Sequence, residues 1–350
     1  MHMADALLAP TVAAAMYVAS GTAAGVSLHK LKKDDEPQKL PTMAVTAALV
    51  FAGQMINYTI PGTGSSGHMC GGMLLSALLG PQAGFLSMIV ILAIQCLFFA
   101  DGGLMALGAN VWNMAFYGCF VGYYLIWRPI MKSRWFGTDK RAQRARIVAA
   151  SLIGCVVTLQ LGALSVVLET SLSGITELPF GAFVALMQPI HLAIGLVEGL
   201  ITAAVLLFVY ESRPELLQEV KPAEGASAKR SLKATIAILA VVALIVGGGL
   251  SLLASSNPDG LEWALFGNAE EGYSENMGLN EDSFGVASAA ADTAAGIQEK
   301  TSFLPDYAFA DSDTAAGTTV SGIVGSAMVA GVALLICLAG GFFRKKAHKA

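Results

Sequence analysis

The chain opens Met1-His2, two residues that carry three nitrogens able to grip a single metal ion. An α-amine titrates near pH 8 and yields its proton readily to a metal. From that amine the His2 amide nitrogen closes a five-membered chelate ring, and from the amide the His2 Nδ1 closes a six-membered one. Three corners of a square are then filled. A histidine at position 3 would let the peptide complete the square alone, whereas at position 2 another segment must supply the last corner. Methionine aminopeptidase acts poorly before a bulky second residue, so Met1 is expected to stay and present its amine. A square of nitrogens selects Ni(II) or Cu(II), with Co(II) also accessible.

Three further histidines have no such claim, or a weaker one. His29 and His348 lie among lysines and read as solvated side chains. His191, in "QPIHLAIGLVEG", follows Pro189 by two residues, and in its plainer reading bonds a loop carbonyl. His68, closing the loop "PGTGSSGH", is the best candidate for the fourth corner. The five cysteines, Cys70, Cys96, Cys119, Cys155 and Cys337, all fall in apolar segments and form no CxxC pair. Neither a disulfide framework nor a thiolate metal site is expected.

The elements that position these residues must be membrane helices. Charged residues make up only 13% of 350 positions, about half the usual share of a soluble domain. Apolar residues make up 55%, and the mean hydropathy is +0.63. A spanning helix needs about 20 apolar residues. Spans are expected at 10–29, 41–57, 69–80, 82–100, 109–127, 145–168, 187–210, 234–254 and 318–343. The third is short and Gly-rich, as befits a half-helix packed inside a bundle. No Lys or Arg precedes Lys30, so the first segment reads as a permanent helix rather than a cleaved leader.

Charge orients the helices. Segments 30–40, 128–144, 211–233 and 344–350, with Arg146 at the membrane edge, hold 20 of the 21 Lys and Arg. The positive-inside rule puts them in the cytoplasm and leaves the N-terminus outside, with the loops at 58–68, 101–108 and 169–186. The segment 255–317, with twelve acidic residues against Lys300, falls outside too and reads as a flexible acidic loop. The expected fold is thus an all-α integral membrane protein. A seven-helix bundle over 1–212 is followed by a cytoplasmic linker, 213–233, and a two-helix hairpin, 234–350.

The stretches "MHMADALLAP", "GTGSSGHMCGGMLLSALLGPQAGFLSMIVILAIQCLFFADGGLMALGANVWNMAFYG" and "HLAIGLVEGLITAAVLLF" resemble the CbiM/NikM family, the substrate-binding membrane components of energy-coupling-factor cobalt and nickel importers. The hairpin, with "LSLLASSNPDGLEWAL" and "FLPDYAF", resembles the small CbiN/NikN component, here fused to the C-terminus. The resemblance implies a metal site of Met1, His2 and His68. Ser66, Asp101, Asn110 and His191 are then candidates to fix the ligand loops by hydrogen bonds. It also implies a place in a bacterial or archaeal cytoplasmic membrane, with Ni2+ or Co2+ as cargo rather than cofactor.

Uphill import needs energy, and the chain has no G-x-x-x-x-G-K phosphate loop. The implied partners are a membrane coupling subunit (CbiQ/NikQ-like) and cytoplasmic ATPase subunits (CbiO/NikO-like), besides the lipid bilayer; no nucleic acid is expected. One rival reading is enzymatic. Gly64-Ser65-Ser66-Gly67 fits G-x-S-G, and Ser66 with His191 as general base would make an intramembrane serine protease. A passive channel or sensor, working without ATPase subunits, is another.

Overall fold

The computed structural model describes residues 1–31, 39–133, 137, 139–175, 177–220, 230–269, 272, 279, 284–309 and 315–347. Its helices are α1 (Pro10–Leu31), α2 (Lys39–Gln54), α3 (Gly72–Leu79), α4 (Pro81–Phe99), α5 (Leu107–Asn110), α6 (Arg128–Lys132), α7 (Lys140–Leu172) and α8 (Phe180–Ser212). These are followed by α9 (Leu232–Gly248), α10 (Gly260–Phe266), α11 (Ala289–Thr301) and α12 (Ala315–Ala347). A π-helical stretch, Val111–Trp127, joins α5 to α6 without a break. Among the described residues, six helices are long and apolar enough to cross a membrane: α1, α4, α7, α8, α9 with the turn after it, and α12. Helix α2 is shorter.

Helix α3 has eight residues, every one buried. At about 1.5 Å per residue it covers only part of a bilayer, so it fits inside protein rather than against lipid. Gly80, at φ +84°, turns the chain between α3 and Pro81, which opens α4 at the position where a proline's missing N–H costs nothing. α7 lies along α8 and the π-helical stretch, while α9 and α12 pack on α2 and on each other. The α9–α12 crossing is very close: a Cβ on Gly322 would sit 1.9 Å from the Gly247 carbonyl oxygen. Small residues allow such an approach.

Several sequence expectations change. The fold is all-α in class, but the loop at 58–68 contains a small antiparallel pair, β1 (Tyr58–Ile60) with β2 (Ser65–Gly67). The seventh span begins at Phe180 rather than 187, with Pro189 inside α8. Beside that proline, Gln160 and Gln188 side chains bond each other's backbone carbonyls at 2.8 and 3.2 Å. The described parts of 255–317 are structured, not a flexible linker. Asp259 caps α10, which buries Leu261, Trp263, Ala264 and Leu265, and Ser288 caps α11. Apolar residues spaced along short capped helices outweighed the acidic composition.

Basic side chains pair with carboxylates at one end of the bundle. Lys140 and Arg144, at the start of α7, pair with Glu211 at the end of α8 at 2.8 and 2.6 Å. Arg128 and Lys132 pair with Glu219, each at 3.1 Å. The segments that carry Met1, His2 and His68 lie at the other end.

Candidate metal centre

The terminus is threaded into the bundle by backbone pairing. Met3 donates its N–H to Asn110 Oδ1 at 2.7 Å and accepts from Asn110 Nδ2 at 3.2 Å. Gly103 also donates to the Met3 carbonyl, at 2.9 Å. Asp5 Oδ1 accepts from Ala106 N–H at 2.9 Å. Met1 and Met3 are buried. Gly102, at φ +79°, makes the turn beside them, and a Cβ there would press on Asn110 and on His2. Held this way, the Met1 amine is a fixed group rather than a frayed end.

His68 arrives from β2. Its Nδ1 lies 3.1 Å from the Met69 carbonyl, which can only accept; Nδ1 therefore carries the proton and Nε2 keeps its lone pair. The His2 and His68 rings stack with centroids 5.3 Å apart. Met1, His2 and His68 thus converge, as their chemistry requires. His2 Nδ1, the nitrogen expected to close the chelate, is 3.0 Å from Asp101 Oδ1, while His2 Nε2 is buried without a partner. For Nδ1 to reach a metal on the amine and amide, the ring must leave Asp101.

The other predicted residues sort differently. Asn110 holds the ligand segment through Met3, and Asp101 holds His2. Ser66 instead serves the hairpin: its Oγ lies 2.7 Å from the Asn257 carbonyl and 3.2 Å from that of Pro258, and its N–H donates to the Pro258 carbonyl at 2.8 Å. His191 Nδ1 bonds the Met187 carbonyl at 2.8 Å, and its Nε2 is buried without a partner. No hydrogen bond joins Ser66 to His191 among the described residues, and Ser66 is wholly buried. A hydroxyl committed to backbone carbonyls is no nucleophile, so the protease reading is dropped. His191 does share a small void with Met1, His68 and Asp259.

Asp259 was not singled out from the sequence. Its Oδ2 is 2.5 Å from the Met1 amine, and its Oδ1 accepts the Leu261 and Glu262 N–H groups at the start of α10. Tyr307, also from the hairpin, donates its hydroxyl to Asp101 Oδ2 at 2.5 Å. Gln298 on α11 donates to the Gly102 carbonyl at 2.9 Å and accepts the Leu104 N–H at 3.1 Å. An open cavity of about 710 Å³ stands over the site, lined by His2, His68, Asp101, Asp259, Asp306 and Tyr307 among others. The local signal for Asp259 was the pattern Asp259-Gly260-Leu261-Glu262, an N-cap residue with Glu three places on. Nothing local tied it to Met1.

The electrostatics follow from these contacts. Burial disfavours charge on the Met1 amine, but the adjoining Asp259 carboxylate outweighs it and raises the amine above its ordinary value. Burial likewise opposes charge on Asp259 and Asp101. The amine and His68 beside Asp259, and His2 with the Tyr307 hydroxyl beside Asp101, hold both carboxyls well below the usual range. Burial, then the nearby ammonium, pushes His68 down to about 4, so its imidazole is neutral at pH 7. Among the described residues no group of three or more His, Cys, Asp and Glu side chains is arranged to hold a metal ion. A site built from an amine, an amide and two imidazoles needs no such group.

Fold and site together define a multi-pass membrane protein with nitrogen donors gathered at one end of the bundle. The chain belongs to the CbiM family, whose model, described as the cobalt uptake substrate-specific transmembrane region, matches residues 2–216. A second family model, the PDGLE domain, matches residues 233–340. A relative from Archaeoglobus fulgidus is 36% identical over 94% of this chain and 95% of its own length. The fused nickel transport protein NikMN of Rhodobacter capsulatus is 33% identical, covering 95% of this chain and 96% of the relative. The cobalt transport protein CbiM of Sorangium cellulosum is 32% identical over 65% of this chain and all of its own. A crystal structure of a truncated transition metal transporter superposes with a TM-score of 0.52 at 33% identity, over 60% of this chain and 99% of that one.

Proposed function

We propose that this protein is the substrate-binding component of an energy-coupling-factor importer, taking Ni2+ or Co2+ from the outer face of a prokaryotic cytoplasmic membrane. The metal is held by the Met1 amine, the His2 amide nitrogen and imidazole, and the His68 imidazole. A coupling subunit in the membrane and ATPase subunits in the cytoplasm supply the energy. The domain division is a bundle over 1–212, a linker over 213–233 and a hairpin over 234–350, with the basic ends of the helices inward.

One observation carries this reading: the His68 ring stacks on His2, beside the buried terminal amine, although 66 positions separate the two histidines in sequence. Bound metal is cargo, and family members bearing the names of nickel and cobalt transporters support both candidates. Asn110 acts by orienting the ligand segment, and Asp101 holds the His2 ring until the metal takes Nδ1.

The test is Ni(II) and Co(II) titration of the protein tagged only at its C-terminus, beside a version with one alanine before Met1. The extension turns the Met1 amine into an amide and shifts His2 to position 3, where the peptide can fill a square unaided. His68→Ala is expected to weaken binding of the native-length chain by roughly 100-fold or more, at or above the upper end of what outer partners cost. In the extended chain it should change little. Equal indifference to the extension and to His68→Ala would send the metal elsewhere.

A further inference from the structure

Glu198 lies on α8 at 1% exposure, in the apolar run "LAIGLVEGLITAAV". A carboxyl group buried among membrane helices is costly unless its oxygens are bonded. Both are bonded here, and to one short segment. Glu198 Oε2 accepts the Cys70 N–H at 2.8 Å, and Oε1 accepts the Gly71 N–H at 2.9 Å. These amides precede α3, where the first N–H groups of a helix have no partner within it. Gly71, at φ +84°, makes the turn into α3, and a Cβ there would lie 2.3 Å from Val50 Cγ1. The same segment is gripped from the other side: Gln54 Nε2 donates to the Cys70 carbonyl at 2.7 Å, and Gln95 Nε2 donates to Gln54 Oε1 at 2.8 Å.

The Cys70 N–H belongs to the same peptide unit as the Met69 carbonyl, and that carbonyl is the acceptor for His68 Nδ1. A peptide unit is planar and stiff. Glu198 at its N–H and the His68 ring at its C=O are therefore the two ends of one hydrogen-bonded chain. Such chains polarise along their length, so a bond at the N–H strengthens the carbonyl as an acceptor. Metal-binding histidines commonly donate their second nitrogen to a carboxylate or a carbonyl, which fixes the ring and makes the other nitrogen a better donor. Here the carboxyl acts at one remove, through the peptide.

We propose that Glu198 is a positioning residue for metal capture, holding the Met69–Cys70 peptide so that the His68 ring stays fixed with Nε2 as its bare nitrogen. This inference rests on the reading of His68 as a ligand. Glutamine at 198 keeps the shape but turns an NH2 donor toward one of the two N–H groups, so either the Cys70 bond on the Met69–Cys70 peptide or the Gly71 bond that braces the next peptide is lost. It also ties the site to α8, a helix that runs to the basic end of the bundle.

The test is a double-mutant cycle in the full chain, with Ni(II) affinity measured for the native protein, Glu198→Gln, His68→Ala and the pair. Glu198→Gln is expected to weaken binding by roughly 10–100-fold, and the pair to bind no more weakly than His68→Ala alone. Cu(II) electron paramagnetic resonance should report one coordinated imidazole in Glu198→Gln where the native protein reports two. A purely structural role would lower thermal stability, add to the His68→Ala loss and leave the Cu(II) signature of the folded fraction unchanged; that result overturns the inference. Should Glu198→Gln not be recovered folded, Gln54→Ala loosens the same segment and must show the same non-additivity. If His68→Ala itself leaves Ni(II) binding unchanged, the ligand assignment fails. If His68→Ala weakens binding and Glu198→Gln does not, only the role of Glu198 fails.

Discussion

Two regions face each other across the cavity, and different chemistry holds each of them. The N-terminal segment and the His68 loop are tied to bundle helices by buried bonds: Asn110 to Met3, Glu198 and Gln54 to Cys70 and Gly71. The hairpin side reaches in from short helices with single polar tips. Asp259 meets the Met1 amine, Tyr307 meets Asp101, and the Asn257 and Pro258 carbonyls meet Ser66. The nitrogen donors thus belong to the side built into the bundle, and the carboxylate that faces the amine belongs to the side laid over it. A buried donor left unpaired costs more than a partly solvated contact broken. Losses on the first side should therefore exceed losses on the second.

Of the substitutions that set the two sides against each other, Asn110→Ala has the largest expected effect. It removes both Asn110 bonds from the Met3 backbone, leaves Gly103 on the Met3 carbonyl, loosens the ligand segment, and should weaken Ni(II) binding by roughly 10–100-fold in a titration at neutral pH. An effect no greater than that of a hairpin substitution would break the comparison.

Asp259→Asn sharpens it through pH. The amine's pKa is raised by Asp259, so a proton competes with the metal up to a higher pH than at an ordinary terminus. Without the carboxylate the amine sheds its proton at lower pH, and the midpoint of the binding-versus-pH curve should move down. The ion pair also contributes to stability. An amine raised on folding contributes in full below its unfolded value near 8 and loses this as pH rises through its folded one; a depressed carboxyl contributes in full above about 4 and loses this as pH falls through its own. The melting-temperature gap between native protein and Asp259→Asn should accordingly be widest between about pH 4 and 8. A binding midpoint that does not move would mean Asp259 is not what the metal must displace.

The smallest effect is Ser66→Ala. One or two hydrogen bonds to hairpin carbonyls are lost, about 1 kcal/mol or roughly fivefold in docking. Limited proteolysis of 255–269 should quicken while Ni(II) affinity shifts by a few-fold at most. A loss as deep as that of Asn110→Ala would show the hairpin to be as integral to the ligand set as the bundle is.

Much of this was legible in the chain. Chelate-ring size singled out Met1 and His2 without any fold, and the sorting of Lys and Arg put His68 at the same end. Apolar run length found the six helices long enough to cross a membrane and the short buried α3, but not α10 or α11. Composition misled at 255–317, where acidic residues outnumber the few apolar ones that anchor α10. Ser66 misled too, because a Gly/Ser pattern carries no sign of which carbonyls its hydroxyl will meet.

By itself the sequence indicated which atoms have the spacing to chelate a metal and which segments are apolar enough for lipid, since both follow from covalent spacing and local hydrophobicity. Only the tertiary structure decided what those atoms meet. Asp259 stands 258 positions from Met1, and Glu198 stands 130 from His68; such pairings arise when helices pack and buried polar groups must find partners, a constraint that no local pattern records.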